Sequence, residues 1–245
     1  MTTETPLLEA SDIDFAYGDV TILEDVSVAA HSAAVTALVG PNGTGKTTLL
    51  RTLAGLQEPT DGTVTYHGPS SERTVGYLPQ HPQFRPGFTV SETLEFYASL
   101  VGGDQEAALH QLERVGLADA AERPVEALSG GMTRLVGIAQ ATIGDPPLIV
   151  LDEPASGLDP GMSKHVFDVA NELAEAGTGV LLSSHDLELV DRTADQVFVL
   201  DEGSVVTRGH PNTLCNQLGV DSLQNVYEEL IAGDLRSVRV QGETA

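Results

Sequence analysis

The chain has 245 residues, enough to bury a full core in one large domain or in one domain with an inserted lobe. Its 36 acidic residues outnumber 12 basic ones for a net charge of −24, and a uniformly acidic surface argues against nucleic acid, whose footprint needs clustered Lys and Arg. The opening Met-Thr-Thr-Glu-Thr-Pro is neither basic nor apolar, and runs such as 148–151 and 197–200 are too short to span a bilayer, so neither a secretory signal nor a membrane span is expected and the chain reads as cytoplasmic.

The acidity is similar to that of proteins from salt-loving organisms, where screening removes the self-repulsion of the folded state. It is then an adaptation to solvent and not a clue to substrate. Only Lys46 and Lys164 are lysines, which gives Lys46 weight as a functional group. Cys215 stands alone, so no intrachain disulfide and no all-cysteine metal site is expected, and His31, His67, His81, His110, His165 and His210 show no metal-ligand spacing.

In chain order, residues 7–30 alternate in a strand-like way (Ile13, Phe15, Tyr17, then Ile22, Leu23, Val26, Val28) and break at Gly18-Asp19, which predicts two antiparallel strands and a turn. A buried strand over 35–39 leads into a Gly-rich loop and a helix of about 46–55. A short strand over 63–67 and a core strand over 73–79 follow, the latter running into Gln80. Apolar residues at helical spacing predict helices over 90–101, 105–115 and 130–143. The block 84–143 therefore reads as an inserted all-helical lobe, set against an antiparallel β subdomain of 1–34 and 56–72. The α/β rhythm resumes with a strand at 148–152, a helix at 161–175, a strand at 179–183, a helix at 187–193 and strands at 196–200 and 203–208. Helices at 211–218 and 221–232 and a frayed tail at 233–245 form a C-terminal extension, 211–245. Strand–helix–strand crossovers imply a mostly parallel sheet wrapped by helices.

Two constellations carry chemistry on their residues alone. Gly40-Pro41-Asn42-Gly43-Thr44-Gly45-Lys46-Thr47-Thr48 fits G-x-x-x-x-G-K-[ST] between a strand and a helix. Its glycines let successive N–H groups turn inward as a nest for phosphate oxygens, Lys46 brings a point charge to the β- and γ-phosphates, and the Thr47 hydroxyl is placed for Mg²⁺. The bland reading of the same letters is a Gly-rich turn. The second is the apolar run 148–151 ending in Asp152-Glu153-Pro154. Asp152 can reach Mg²⁺ and Glu153 can take a proton from an attacking water; alone, the stretch is equally a strand stopping in a charged turn.

With Tyr17, Gln80, Leu128-Ser129-Gly130-Gly131-Met132, Ser156-Gly157-Leu158-Asp159 and His185 added in this order, the chain resembles the nucleotide-binding subunit of ATP-binding-cassette (ABC) transporters over about residues 7–210. The resemblance implies an α/β P-loop NTPase (RecA-like) fold, with ATP and Mg²⁺ as ligands. It implies that Tyr17 stacks on adenine, that Gln80 senses Mg²⁺, attacking water and the membrane partner, and that His185 sits at the γ-phosphate. By the same resemblance Ser129, Gly130 and Gly131 cap the ATP of a second subunit, and Asp159 communicates across the dimer. A membrane permease, met near Gln80 and 84–96, and a second copy or homologous ATPase are the implied partners, with the chain peripheral on the inner face of the membrane. Met132 departs from the usual glutamine and resembles the ABC-2-type export branch. The rival is an ABC ATPase without a membrane subunit, acting in cofactor assembly or in translation and repair. A lone P-loop kinase or GTPase is disfavoured by the signature loop and by the lack of Asn-Lys-x-Asp.

Overall fold

The computed structural model describes residues 5–238, with 232–238 as backbone alone. Leu8–Tyr17 (β1) and Val20–Ala30 (β2) pair antiparallel across Gly18-Asp19, and Asp61–Tyr66 (β4) pairs antiparallel with the other edge of β1. Asp12 and Asp25 take left-handed φ of 52° and 51° at breaks in the register of this hairpin, bulges that increase its twist.

The larger sheet comprises Val35–Val39 (β3), Val75–Leu78 (β5), Leu148–Leu151 (β6), Gly179–Ser183 (β7), Gln196–Asp201 (β8) and Ser204–Gly209 (β9). Its order is β5-β6-β7-β3-β8-β9, parallel throughout except that β9 runs antiparallel to β8. Lys46–Leu53 (α1) follows β3. Helices Val90–Ser99 (α2), Gln105–Arg114 (α3) and Gly130–Thr142 (α4) lie in sequence between β5 and β6, two strands that are neighbours in the sheet. Pro160–Glu175 (α5) and Leu187–Thr193 (α6) make the next crossovers, and Pro211–Leu218 (α7) and Leu223–Val238 (α8) close the chain. Two short 3₁₀ turns, Ala118–Ala120 and Val125–Ala127, lie within the helical insertion.

The parallel strands are buried on both faces, so their apolar run has no polar alternate; it divides between two cores instead. Ala37, Ile149, Leu182 and Val199 face a core shared with α2 to α6. Leu38, Val150, Leu181, Phe198 and Leu200 face a second core shared with α1 and the antiparallel strands. This two-sided packing fixes the register, because a one-residue slip would exchange the two sets. It also fixes the carboxyl ends of β3, β6 and β7 side by side, which is where an open α/β sheet presents ligand groups.

The last helix differs from the expected 221–232: it runs to Val238, through Gly233 and part of the segment read as frayed. A single helical glycine costs only about 1 kcal/mol relative to alanine and need not end a helix. Residues 1–4 of the opening segment and 239–245 of the expected tail lie outside the described residues. Among the described residues no helix is long and apolar enough to cross a membrane.

Phe198 is fully buried on β8 in the second core. Phe198→Ala is expected to destabilise the fold by about 3–5 kcal/mol, the usual cost of emptying a packed aromatic site, read as a lower urea midpoint at an unchanged slope.

Candidate active site

The loop from Gly40 to Thr48 joins β3 to α1. Gly45 is the N-cap of α1 with φ 92°, and a Cβ there would stand 2.6 Å from Leu23 Cδ2 and 3.0 Å from the Ile22 carbonyl oxygen. Only glycine lets β2 close so tightly over the loop. No side chain caps α1, which leaves its first N–H groups for an anion. Lys46 is buried and its Nζ donates to the carbonyl oxygens of Gly40 (2.8 Å) and Pro41 (2.9 Å), while Thr44 Oγ1 donates to Pro41 (3.0 Å). Burial holds the Lys46 amine below its ordinary pKa, with Glu153 and then Asp152 opposing.

Asp152, the residue after β6, is wholly buried and anchored to β5 by its backbone N–H on the Leu78 carbonyl (3.0 Å). Its Oδ1 accepts from Thr47 Oγ1 (3.1 Å) and from Ser183 Oγ (2.9 Å). Its Oδ2 is buried with no partner among the described residues, as is the hydroxyl of Tyr77. Burial raises the Tyr77 phenol, Arg51 opposes, and the nearby Asp152 carboxylate adds to the rise. An orphaned carboxylate oxygen is costly unless something binds it. A buried carboxylate with an unpartnered oxygen beside a threonine hydroxyl fits Mg²⁺, which takes one or two carboxylates and completes its shell with water and phosphate.

Glu153 is held in the left-handed region at φ 48°, a conformation that costs a β-carbon residue about 1–3 kcal/mol and that collects at functional sites. Its N–H donates to Ser183 Oγ (2.8 Å), so one hydroxyl at the end of β7 holds both acidic residues. The buried carboxylate stands with Oε1 4.0 Å from Lys46 Nζ and Oε2 2.8 Å from His185 Nδ1, whose ring is largely exposed. This arrangement can neutralise phosphate charge on one side and accept a proton on the other.

Ile22, Asn42, Gly43, Gly45, Lys46, Thr47, Thr48, Gln80 and Glu153 line one open cleft of about 370 Å³. Tyr17 lies at the end of β1, exposed, edge-on to Phe15, with its hydroxyl 3.5 Å from Gln57 Oε1. Gln57 in turn donates to the Thr48 carbonyl (2.8 Å) and so ties this aromatic to the phosphate loop. Ser129, Gly130, Gly131 and Asp159 are absent from the cleft lining. Ser129 caps α4 by accepting from the Met132 N–H (3.3 Å), Asp159 caps α5 by accepting from the N–H groups of Gly161 and Met162, and α4 packs on α5.

A Gly-rich loop, two carboxylates and a histidine now stand at the carboxyl ends of neighbouring strands of one mostly parallel sheet, and a Ser-Gly-Gly helix start stands apart at the head of α4. The family model described as ABC transporter matches residues 23–156. The chain belongs to the ABC transporter family. It is 33% identical to the Nod factor export ATP-binding protein I of Ralstonia nicotianae over 98% of this chain and 80% of that one. It is 32% identical to the linearmycin resistance ATP-binding protein LnrL of Bacillus subtilis over 89% of this chain and 73% of that one. A solved structure described as the ATP-binding subunit of an ABC transporter superposes with a TM-score of 0.80 at 30% identity, covering 91% of this chain and 99% of that one. This ABC cassette is therefore an ATP-binding protein with an ABC ATPase fold.

Three contributors escaped sequence reasoning. Ser183 is the polar residue in the otherwise apolar 179–183 run, a signal that was available. Gln57 and Tyr77 carried none, because their roles depend on the approach of distant segments.

In folded protein Lys46 binds its proton less tightly than in the unfolded chain, so between its lowered pKa and 10.5 the unfolded state holds more protons and stability rises with pH. Denaturant titrations at stepped pH should show this increment in the wild type and lose it in Lys46→Met; parallel curves would show that Lys46 titrates normally.

Proposed function

We propose that this ABC cassette hydrolyses ATP in a composite site and passes the resulting closing and opening to a separate integral membrane permease of the export type. Its own cleft supplies one half of the site, and the Ser129–Gly131 segment of a second copy or homologous subunit supplies the other. The observation that carries this reading is a separation within one chain. Lys46, Thr47, Gln80 and Glu153 line one cleft, with Asp152 bonded to Thr47 and His185 to Glu153 behind that lining, whereas Ser129 and Gly130 stand exposed at the start of α4, outside it. Each half needs its complement from another molecule, which a two-fold pair satisfies reciprocally.

Phosphoryl transfer to water is largely positioning and charge neutralisation. The loop 40–48 and Lys46 orient the phosphates, and Tyr17 stacks on the adenine. Thr47, Asp152 and Gln80 would hold Mg²⁺, which supplies positive charge to the β- and γ-phosphate oxygens. Glu153 accepts the proton of the attacking water, kept in place by the Ser183 bond to its backbone and by His185 against its carboxylate. Asp159, at the start of the helix against which α4 packs, relays the state of one half to the other.

For the permease, the favoured surface is the groove beside the Gln80 loop lined by Arg85, Phe88, Thr93, Phe96 and Tyr97. Phe96 is 55% exposed there, Arg85 stacks over the Phe88 ring at 5.0 Å, and Tyr97 is edge-on to Phe96. Exposed aromatics rimmed by polar groups mark association sites. The Nod factor export and linearmycin resistance relatives support export, and a chain that binds its permease here is peripheral on the cytoplasmic face of the membrane.

Glu153→Gln is expected to cut ATP turnover about 10²- to 10⁴-fold, the usual worth of a general base, while nucleotide binding survives and an ATP-bound dimer accumulates in size-exclusion chromatography. Unchanged turnover would remove Glu153 from the mechanism. The same variant, tagged and recovered with ATP from detergent-solubilised membranes of its host, should bring down an integral membrane protein in stoichiometric amount; repeated recovery without one would refute the coupling.

A further inference from the structure

The helix that starts at Ser129–Gly131 reaches the Gln80 loop one turn later. Arg134, on α4, is 7% exposed, and its guanidinium donates to the carbonyl oxygen of Gln80 and lies 3.4 Å from that of Pro79. Three residues on, on the same face, Gly137 brings α4 down on the same segment: a Cβ there would stand 2.4 Å from Leu78 Cδ1 and 3.3 Å from Pro82 Cβ. Residues 78–82 are thus gripped by two successive positions of α4.

Burial lowers the Arg134 pKa, and the charges of the Asp152 and Glu153 carboxylates oppose it. Burying a guanidinium is expensive unless its donors find acceptors, and α4 is buried along most of its length, so Arg134 depends on these main-chain carbonyls. Both carbonyls are met from Nη1 of a planar guanidinium of fixed geometry, where a lysine would offer a freely rotating point donor.

We propose that Arg134 is a positioning residue for Gln80. It fixes the backbone at 79–80 so that the Gln80 side chain enters the cleft, and it links that position mechanically to the Ser129–Gly131 segment on the same helix. A partner nucleotide that displaces the start of α4 then moves Gln80 relative to Glu153 within a single rigid element. The functional consequence rests on the hydrolytic reading above, whereas the anchoring itself does not.

Three variants test it: Arg134→Met, which keeps length and apolar stem, Arg134→Lys, which keeps charge with a point donor, and Gln80→Ala. Within 79–82 only Gln80 and His81 carry an amide proton, since 79 and 82 are prolines, and hydrogen exchange of these two amides should rise in Arg134→Met, less in Arg134→Lys, with the 46–53 amides unchanged. Turnover of Arg134→Met should fall about 10- to 100-fold, the scale of small misplacements at a reacting centre, with ATP Kd unchanged. The double variant Arg134→Met/Gln80→Ala should be no slower than Gln80→Ala alone. Unaltered exchange at 79–82 overturns the anchoring, and additive losses in the double variant overturn the action through Gln80. Should Arg134→Met melt, the graded exchange in Arg134→Lys decides. Raised exchange at 79–82 in a protein whose wild type does not turn over ATP would sustain the anchor and reject the proposed function instead.

Discussion

The site depends on one hydroxyl. Ser183 Oγ donates to Asp152 and accepts from the backbone of Glu153, and it can do both because β6 and β7 are parallel neighbours whose carboxyl ends arrive together. Without that bridge, two adjacent acidic residues at the end of an apolar strand would repel each other and turn outward to water. With it, they diverge: Asp152 is drawn down beside Thr47 and β5, and Glu153 is forced through a left-handed backbone into the cleft. The difference in direction between consecutive side chains is what gives the pair two separate chemistries. Strain at Glu153 is tolerable because the strands on either side are buried on both faces and leave the backbone little freedom to relax.

Much of this was legible in the sequence, for identifiable reasons. The loop 40–48 and the run 148–153 are local: spacing alone sets which groups share the end of a strand. The parallel sheet was legible because apolar runs of four to six residues alternate with helical periods. Boundaries were read to within a residue or two for most elements, and the last helix runs to Val238, past the 232 expected for it and into the segment read as a frayed tail. The order β5-β6-β7-β3-β8-β9 was not legible, since strand neighbours depend on packing between segments far apart in the chain. Nor was Arg134, whose partners lie more than fifty residues away and are backbone atoms that leave no trace in residue type. The family resemblance supplied Gln80, His185 and Ser129; periodicity gave no reason to choose them.

The two sheets divide the work. The antiparallel strands close over the loop through Ile22, Leu23 and Gly45 and set Tyr17 beside it through Gln57, so loop rigidity comes from one side of the cleft. The carboxylates, Gln80 and α4 come from the other. In the mechanism proposed above hydrolysis draws on both sides, whereas the loop and its lysine belong to the first alone.

A cassette with net charge −24 must still attract a polyanion. Its acidic residues act over the surface, where salt shortens their reach to a Debye length of about 8 Å at physiological ionic strength and about 3 Å at 1 M. The attracting groups are placed inside that limit and away from solvent: Lys46 is buried against the loop carbonyls and 4.0 Å from Glu153, and the N–H groups of α1 begin at the next residue. Buried charges are screened far less than exposed ones. High salt therefore weakens the long-range repulsion while leaving the contact attraction nearly intact, so an acidic surface and a phosphate site coexist, provided that the cation at the loop is buried, as Lys46 is. The rarity of lysine makes Lys46 conspicuous for this reason: on the exposed surface its charge was dispensable, and at the loop it was not.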